Sequence, residues 1–263
     1  MSFLVMFTFS FFRKQKKGYT MLIQMIHQIR DIIFPLRCPV CDEILEPELV
    51  GKAYIHKKCE GRLVPVDKTV CMHCGRPVDQ GQEYCYDCGR KNLSKSFRQG
   101  KALFIYRGSI QKTMYRFKYA NKREYAYFFA EVAWENYGEW LLKKGIEIIV
   151  PVPMFLPKQR KRGYNQAECF AKALSKVSGI PMSTDFIRRC KDTAPQKGLN
   201  DIERQNNLKD AFCCGKIPEN YNRVLVVDDI YTTGSTADAV TEKLMAGGVQ
   251  EVYFFSVCIG GGS

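Results

Sequence analysis

Val224 to Thr236 reads VLVVDDIYTTGST, and this stretch decides the fold. Val224, Leu225, Val226 and Val227 form a continuous apolar run of the kind that is buried on both faces of a parallel sheet. Asp228 and Asp229 stand where such a strand ends. Thr232, Thr233, Gly234, Ser235 and Thr236 then lead into a helical pattern. Open α/β sheets bind ligands at the carboxyl ends of their strands. Free N–H groups and hydroxyls at a helix start suit a phosphate. Two adjacent acids can accept hydrogen bonds from a vicinal diol. A diol with a phosphate describes a ribose 5-phosphate.

The chain around this stretch is 263 residues long, enough for one sizeable core and a small second module. Its mean hydropathy of −0.26 is that of an ordinary globular protein. The net charge is +13, and it is uneven. Residues 1–100 carry +6, residues 101–210 carry +10, and residues 211–263 carry −3. Such an excess favours polyanions: nucleic acid, an anionic membrane or a phosphorylated substrate.

Seven of the twelve cysteines lie between Cys38 and Cys88. Cys38-x2-Cys41, His56-x2-Cys59, Cys71-x2-Cys74 and Cys85-x2-Cys88 are four two-ligand knuckles, sufficient for two tetrahedral structural Zn2+ sites. Sequential and interleaved pairing are both compatible with the spacing. All positions are filled and no Glu base is suggested, which argues against a catalytic zinc. His73 lies inside a knuckle and is expected to face solvent. Seven thiolates and two Zn2+ would bring the charge of +13 to roughly +10. Metal spacing rather than disulfide spacing points to a reducing, cytoplasmic setting. Cys169, Cys190, Cys213, Cys214 and Cys258 are expected as ordinary buried thiols.

The organisation follows. Residues 1–35 form an extension and a helix. The extension, Ser2 to Phe12, is Phe-rich and is followed by Arg13, Lys14, Lys16 and Lys17. It is too short to span a membrane. An over-extended start, with initiation at Met21 or Met25, accounts for it; a weak interfacial anchor is the alternative. Met21 to Phe34 has helical spacing and stops at Pro35. Residues 36–90 are a zinc-stapled module, too poor in apolar residues to fold without metal, and 91–100 read as a linker. Residues 101–263 alternate strands and helices, which predicts a mainly parallel sheet flanked by helices. Strands are expected at Ala102–Tyr106, Ile146–Val150, Phe186–Cys190, Arg223–Asp228 and Val252–Ile259. Helices are expected at Ser109–Lys118, Glu124–Lys143, Tyr164–Ser178, Asp201–Lys209 and Ser235–Ala246.

A second candidate element supports the first. Pro151, Val152 and Pro153 end an apolar strand and precede Lys158, Arg160, Lys161, Arg162, Gly163, Tyr164, Asn165 and Gln166. A basic loop at the carboxyl edge of a sheet can hold a diphosphate, with guanidinium groups matching phosphate oxygens.

Val224–Thr236 resembles the signature with which type I phosphoribosyltransferases bind phosphoribosyl diphosphate (PRPP). By that resemblance Asp228 and Asp229 take the ribose hydroxyls and are the catalytic pair, and Thr232 to Thr236 wrap the 5-phosphate. The order of further motifs narrows it. PVP…RKRGYNQAE, then Thr193-Ala194-Pro195-Gln196, Leu199, Glu203-Arg204 and Asn207, then the PRPP signature, together resemble the ComF family of ComFC-type competence proteins over about residues 36–259. That family carries an N-terminal Cys-rich zinc module, in which Cys is more usual where this chain has His56. The resemblance implies a type I phosphoribosyltransferase fold and Mg2+ accompanying PRPP. It also implies a role in DNA uptake during natural transformation, on the cytoplasmic side with a partner helicase.

Two kinds of function fit. One is a transferase in which Mg2+–PRPP loses diphosphate at C1 through an oxocarbenium-like state, stabilised mainly electrostatically; its acceptor is not readable, and a salvage-type enzyme is included. The other is a non-catalytic protein that senses PRPP or binds single-stranded DNA, with Phe104, Tyr106, Tyr115, Phe117 and Tyr119 as stacking candidates or, alternatively, core residues.

Overall fold

The computed structural model describes residues 35–45, 54–66, 69–89, 96–191 and 210–261. The expected helix at Met21–Phe34 and the phenylalanine-rich extension lie outside the described residues. So do the helix expected at Asp201–Lys209 and the Thr193–Asn207 motif. Four parallel strands, β1 (Gln99–Ile105), β2 (Ile148–Pro151), β5 (Arg223–Tyr231) and β6 (Glu251–Ile259), form a sheet in the order β1-β6-β5-β2. A separate antiparallel pair joins β3 (Ile187–Arg189) to β4 (Phe212–Cys214). The helices are a single turn, α1 (Tyr86–Gly89), then α2 (Ser109–Tyr119), α3 (Tyr125–Lys143), α4 (Leu156–Arg162), α5 (Gln166–Ser178) and α6 (Ser235–Ala246). The expected parallel sheet with flanking helices is therefore the observed one.

The sheet has a core on each face. One takes Ile110, Met114 and Phe117 from α2, Phe128 and Phe129 from α3, and Phe170 from α5, against Leu225, Val227 and Phe255. The other takes Ala237, Val240 and Leu244 from α6 and Phe212 from β4, against Val224, Val226 and Phe254. Val224 to Val227 are completely buried, because alternate residues of the central strand serve opposite cores. Burying each such side chain contributes about 1.5–3 kcal/mol.

The zinc module straddles the sheet rather than standing apart. Cys38 and Cys59 belong to the first core, and Cys71, Cys74 and Cys85 to the second. Between the two knuckle pairs the chain runs along the outer edge of β1. Val66 N–H donates to Leu103 (2.9 Å) and Ile105 N–H to Val64 (2.9 Å), so this edge of β1 is covered rather than open to another chain. The first knuckle is tied to α2 and α3: Thr113 donates to the Pro39 carbonyl (2.6 Å), and Asp42 accepts from Tyr125 (2.6 Å) and pairs with Lys122 (3.0 Å). The second sits against β1, where Gly100 N–H donates to the His73 carbonyl (2.6 Å). Gly75 has φ +77°, and a Cβ there would lie 2.8 Å from the Gly100 carbonyl oxygen.

Several expectations change. The basic segment is not a loop. Pro157 opens α4, which runs to Arg162 and ends at Gly163 in the left-handed region (φ +90°). β4 was not expected, being only three residues long. β1 starts inside the segment read as a linker, with Phe97 already buried. Cys190 and Cys213 are not buried thiols: both are exposed and form a disulfide across the β3–β4 pair. Antiparallel pairing explains it, because the Arg188–Cys213 and Arg189–Phe212 register brings the two chains alongside. Cys214 is exposed, Cys169 half-buried, and only Cys258 is buried as expected. No helix among the described residues is long and apolar enough to cross a membrane.

Candidate functional site

β5 delivers the acid pair to the carboxyl edge of the sheet. Pro151 lies in register with Val227, and Val152 N–H donates to the Val227 carbonyl (2.9 Å). Pro151, Val152 and Pro153 therefore stand beside Asp228. Beyond Tyr231 the chain turns through Thr232 and Thr233 to Gly234, which adopts φ +86° as the N-cap of α6. Only glycine takes that conformation without strain. Thr233 and Ser235 hydroxyls meet at 3.0 Å, and the first turn of the helix has Ser235 and Thr236 half-buried. The turn thus presents hydroxyls together with the N-terminal end of a twelve-residue helix, whose first N–H, from Ser235, meets Thr233 Oγ1 (3.5 Å).

The two acids are not equivalent. Asp229 Oδ2 pairs with Lys118 Nζ at 2.9 Å, with only 16% and 21% of the two side chains exposed. Burial works against the Lys118 charge, but the Asp229 carboxylate outweighs it and raises the lysine pKa. Asp228 accepts a hydrogen bond from the Asp229 N–H (2.7 Å). Burial, reinforced by the neighbouring Asp229 charge, pushes the Asp228 carboxyl up to about 8. One acid carries its own counter-ion, and the other is held near neutrality.

Lys118 and Arg76 are site residues that motif reading missed. Arg76, next to Cys74 and Gly75, reaches from the zinc module to the β5–α6 turn. Its Nη1 pairs with Asp87 (2.6 Å), and its Nη2 donates to the Thr232 carbonyl. Ser96 holds the following helix, donating from its N–H to Asp238 (2.9 Å) and from its hydroxyl to Glu242 (3.1 Å). Arg76 and Thr232 are 156 residues apart, and no local pattern joins them.

The basic segment is divided in use. Arg160 is exposed. Arg162 donates to Gln166 (2.9 Å) and lies over the Tyr119 ring at 5.0 Å. Gly163 ends α4 and accepts from Arg123 (3.2 Å). Asn165 and Gln166 are 6% and 1% exposed. Asn165 caps α5, accepting from Ala167 N–H (3.1 Å) and donating to the Val152 carbonyl (2.9 Å). Gln166 donates to the Phe117 carbonyl (3.3 Å). These two residues fix the Pro151–Pro153 turn and the basic helix in place. Phe104 and Phe117 are core residues, whereas Tyr115 and Tyr119 are 65% and 62% exposed, with ring centroids 5.1 Å apart.

The metal ligands gather in sequential order. Cys38, Cys41, His56 and Cys59 form one set and Cys71, Cys74, Cys85 and Cys88 the other, each with donor atoms within 4.8 Å of one another. His56 Nε2 lies 3.0 Å from the Ile44 carbonyl, and Nδ1 faces Cys41 Sγ at 3.3 Å. A backbone bond that fixes the tautomer and turns the other nitrogen inward is what a zinc histidine needs. In the second set, hydrogen bonds from Cys74 and Cys88 pull Cys71 far below the ordinary thiol value, while Cys71 and Cys74 push Cys88 far above it. Four such crowded thiols can all ionise only around a cation. Both donor sets fit structural zinc. His73, expected at the solvent, instead packs its ring against Phe97 with centroids 4.6 Å apart.

Sequence comparison agrees with the two metal sets. Residues 29–89 match the double zinc ribbon domain family. Competence protein F of Haemophilus influenzae is 33% identical over 190 residues, 69% of this chain and 81% of that protein. Competence protein ComFC of Bacillus subtilis is 23% identical over 231 residues, 82% of this chain and 91% of that one. Among solved structures, an adenine phosphoribosyltransferase aligns with 63% of this chain and 82% of its own at 17% identity, with a TM-score of 0.34. The double zinc ribbon match and the 33% identity over most of Competence protein F place this chain in the ComF family of competence proteins.

Proposed function

We propose that this ComF-family protein binds PRPP, or a related ribose 5-phosphate, at the β5–α6 turn. The observation that carries the reading is the acid pair at the end of a buried parallel strand, followed at once by a glycine-capped helix start. In this reading Asp228 and Asp229 take the ribose hydroxyls. Asp228, near neutral, can donate as well as accept, and Lys118 holds Asp229 in place. Thr232 to Thr236 bind the 5-phosphate. The Pro151–Pro153 turn and Arg160 and Arg162 lie toward the diphosphate end, with Asn165 and Gln166 positioning them. Mg2+ bound with the ligand would neutralise diphosphate charge. The double mutant Asp228→Asn/Asp229→Asn is expected to lose Mg2+–PRPP binding in calorimetry; an unchanged affinity refutes the reading. Release of diphosphate from PRPP in the presence of an acceptor would make the protein a transferase; binding without release would make it a sensor or scaffold. We further propose a cytoplasmic role in DNA uptake with a helicase partner, a reading supported by the similarity to competence proteins.

A second reading rests on the exposed Tyr115–Tyr119 pair with Arg162 over Tyr119. Rings and guanidinium on a basic surface suit single-stranded DNA, where stacking contributes about 1–3 kcal/mol per base. Oligonucleotide affinity should then fall steeply with salt and with Tyr115→Ala/Tyr119→Ala. Absence of binding at low salt removes this reading.

A further inference from the structure

The β3–β4 pair carries sulfur chemistry that the β5–α6 site does not use. Its register sets Ile187 opposite Cys214, Arg188 opposite Cys213 and Arg189 opposite Phe212. Side chains alternate along each strand, so the pair has two faces. Ile187 and Phe212 are buried in the core that also holds Val240 and Leu244 of α6. Arg188 and Cys213 belong to the opposite face. Cys190, two residues beyond Arg188, joins them, and its N–H extends the pairing by donating to the Ala211 carbonyl (2.7 Å). Arg188, Cys190 and Cys213 are all exposed. The bond between the two sulfurs therefore lies on the solvent side of the pair.

The other cysteines outside the metal sets are placed differently. Burial pushes the Cys169 thiol up to about 11, the Cys258 thiol well above its ordinary value, and the Cys214 thiol above it as well. Those three stay protonated, and the thiolate is the reactive form. Cys190 and Cys213 share their face with the Arg188 guanidinium, and Lys191 follows Cys190. Asp185 approaches Arg188 only at 4.0 Å, with 82% and 72% of the two side chains exposed, so it does little to offset that cation. Exposed sulfurs beside a cation favour thiolate and are open to exchange. The seven metal-ligand cysteines, by contrast, need a setting that keeps thiols reduced, where a bridge is made and broken rather than kept.

We propose that Cys190 and Cys213 form a reversible redox site that exchanges with low-molecular-weight thiols and disulfides of the glutathione class. The Cys213 thiolate, opposite Arg188, attacks one sulfur of the small disulfide. One small thiolate leaves, and a mixed disulfide forms on Cys213. The Cys190 thiolate then attacks the Cys213 sulfur, and the second small thiolate leaves. Two protein thiols are oxidised, one small disulfide is reduced to two thiols, and the protons lost by the protein thiols end on them. Reduction reverses both steps. The bond joins residues 23 positions apart and so restricts the unfolded chain. The site makes no use of the phosphoribosyl reading and stands or falls without it.

The test equilibrates the full chain, carrying two zinc ions, in a series of reduced and oxidised glutathione mixtures approached from both directions. Thiols are trapped by alkylation and mapped by mass spectrometry. The Cys190–Cys213 bond should form and break across the series and reach the same fraction from either side, with zinc retained and Cys214 still a thiol. Cys190→Ser should stop at a mixed disulfide on Cys213. Arg188→Ala should slow bond formation at pH 7 by about threefold or more. The bridged chain should melt about 5 °C or more above the reduced chain, and Cys190→Ser should abolish that difference. A pair that stays reduced in oxidised glutathione, stays bridged in reduced glutathione, reacts no faster than Cys214, or forms its bond at an unchanged rate in Arg188→Ala overturns the proposal.

Discussion

Replacing Arg76 tests whether the zinc module governs the β5–α6 turn proposed to bind phosphate. The guanidinium is only 11% exposed and has two partners, Asp87 on the one-turn helix α1 and the Thr232 carbonyl. They act on different elements. The Asp87 contact stays within the knuckle, and the Thr232 contact fixes the turn whose hydroxyls and N–H groups would meet the 5-phosphate. A hydrogen bond from a charged group contributes about 1.5–3 kcal/mol. If that ordering has to be restored when the ligand binds, Arg76→Ala weakens Mg2+–PRPP by about tenfold to a hundredfold, at 1.4 kcal/mol per decade. Arg76→Lys should fall between, since an ammonium supplies charge without the planar fork that reaches both partners. The knuckle itself should stay docked, because Gly75 is packed against the Gly100 backbone and Gly100 N–H remains bonded to His73. The assay is calorimetry with Mg2+–PRPP, alongside elemental analysis showing two zinc ions per chain. Arg76→Ala binding PRPP within twofold of the parent, with both zinc ions retained, would refute the coupling.

Three more outcomes follow from the same contacts. Lys118→Met leaves Asp229 without its counter-ion in a mostly buried setting, and should cost about 2–3 kcal/mol in urea unfolding, just under the range for a fully buried pair because both groups keep some water; the double mutant Lys118→Met/Asp229→Leu should recover much of it, and equal losses in single and double mutants would show that the pair does not matter. Burial and the Asp229 charge push the Asp228 carboxyl up to about 8 in the folded chain, far above the ordinary aspartate range, so between the two the native state binds more protons than the unfolded one. Stability from this group is therefore present at low pH and is lost as pH rises through the window, by at most about 1.4 kcal/mol per pH unit; melting curves of Asp228→Asn should show a flatter pH dependence, and identical profiles would count against it. Chelating zinc should melt the sheet and the zinc module in one transition, because the cysteines belong to the two cores of the sheet; a stable sheet domain surviving zinc loss would contradict that.

The central strand, the acid pair and the Thr232–Thr236 run before α6 were legible because each depends on a local rule: apolar run, strand end, helix start. The metal sets were legible for the same reason, since the two-residue spacing within each knuckle places its donors together whatever surrounds them. Their pairing was not, because it depends on which loops close on which core. The basic segment was misread as a loop. Lys158 to Arg162 lacks an apolar stripe, and its helix is set instead by Pro157 at the start and Gly163 at the end. Lys118 and Arg76 were invisible for a different reason. Each acts on a strand end far along the chain, and only the topology β1-β6-β5-β2 brings them there. Cys190 and Cys213 carry no spacing signal, and the three-residue strands that align them are too short to show a period.

The placement of zinc has a physical cause. A segment of some fifty residues rich in Cys, Gly and Pro cannot build a core of its own, and this one does not. It spends its buried cysteines as parts of two cores that the sheet already supplies, one on each face, and lays Val64 to Val66 along the free edge of β1 between them. A module that completes both cores must arrive at both faces, and the second face is the one whose strand ends carry Tyr231 and Thr232. Tyr231 is buried against Phe97 and Phe254, and Phe97 in turn packs on His73 of the knuckle. Contact between the second knuckle and the β5–α6 turn is thus a consequence of how the module folds. It follows that substitutions in the knuckle should be felt at the turn in proportion to how far they loosen Phe97 and Arg76. Substitutions in the first knuckle, which rests on α2 and α3, should reach the site through α2, by way of Lys118 and of the Phe117 carbonyl and Tyr119 ring that meet Gln166 and Arg162.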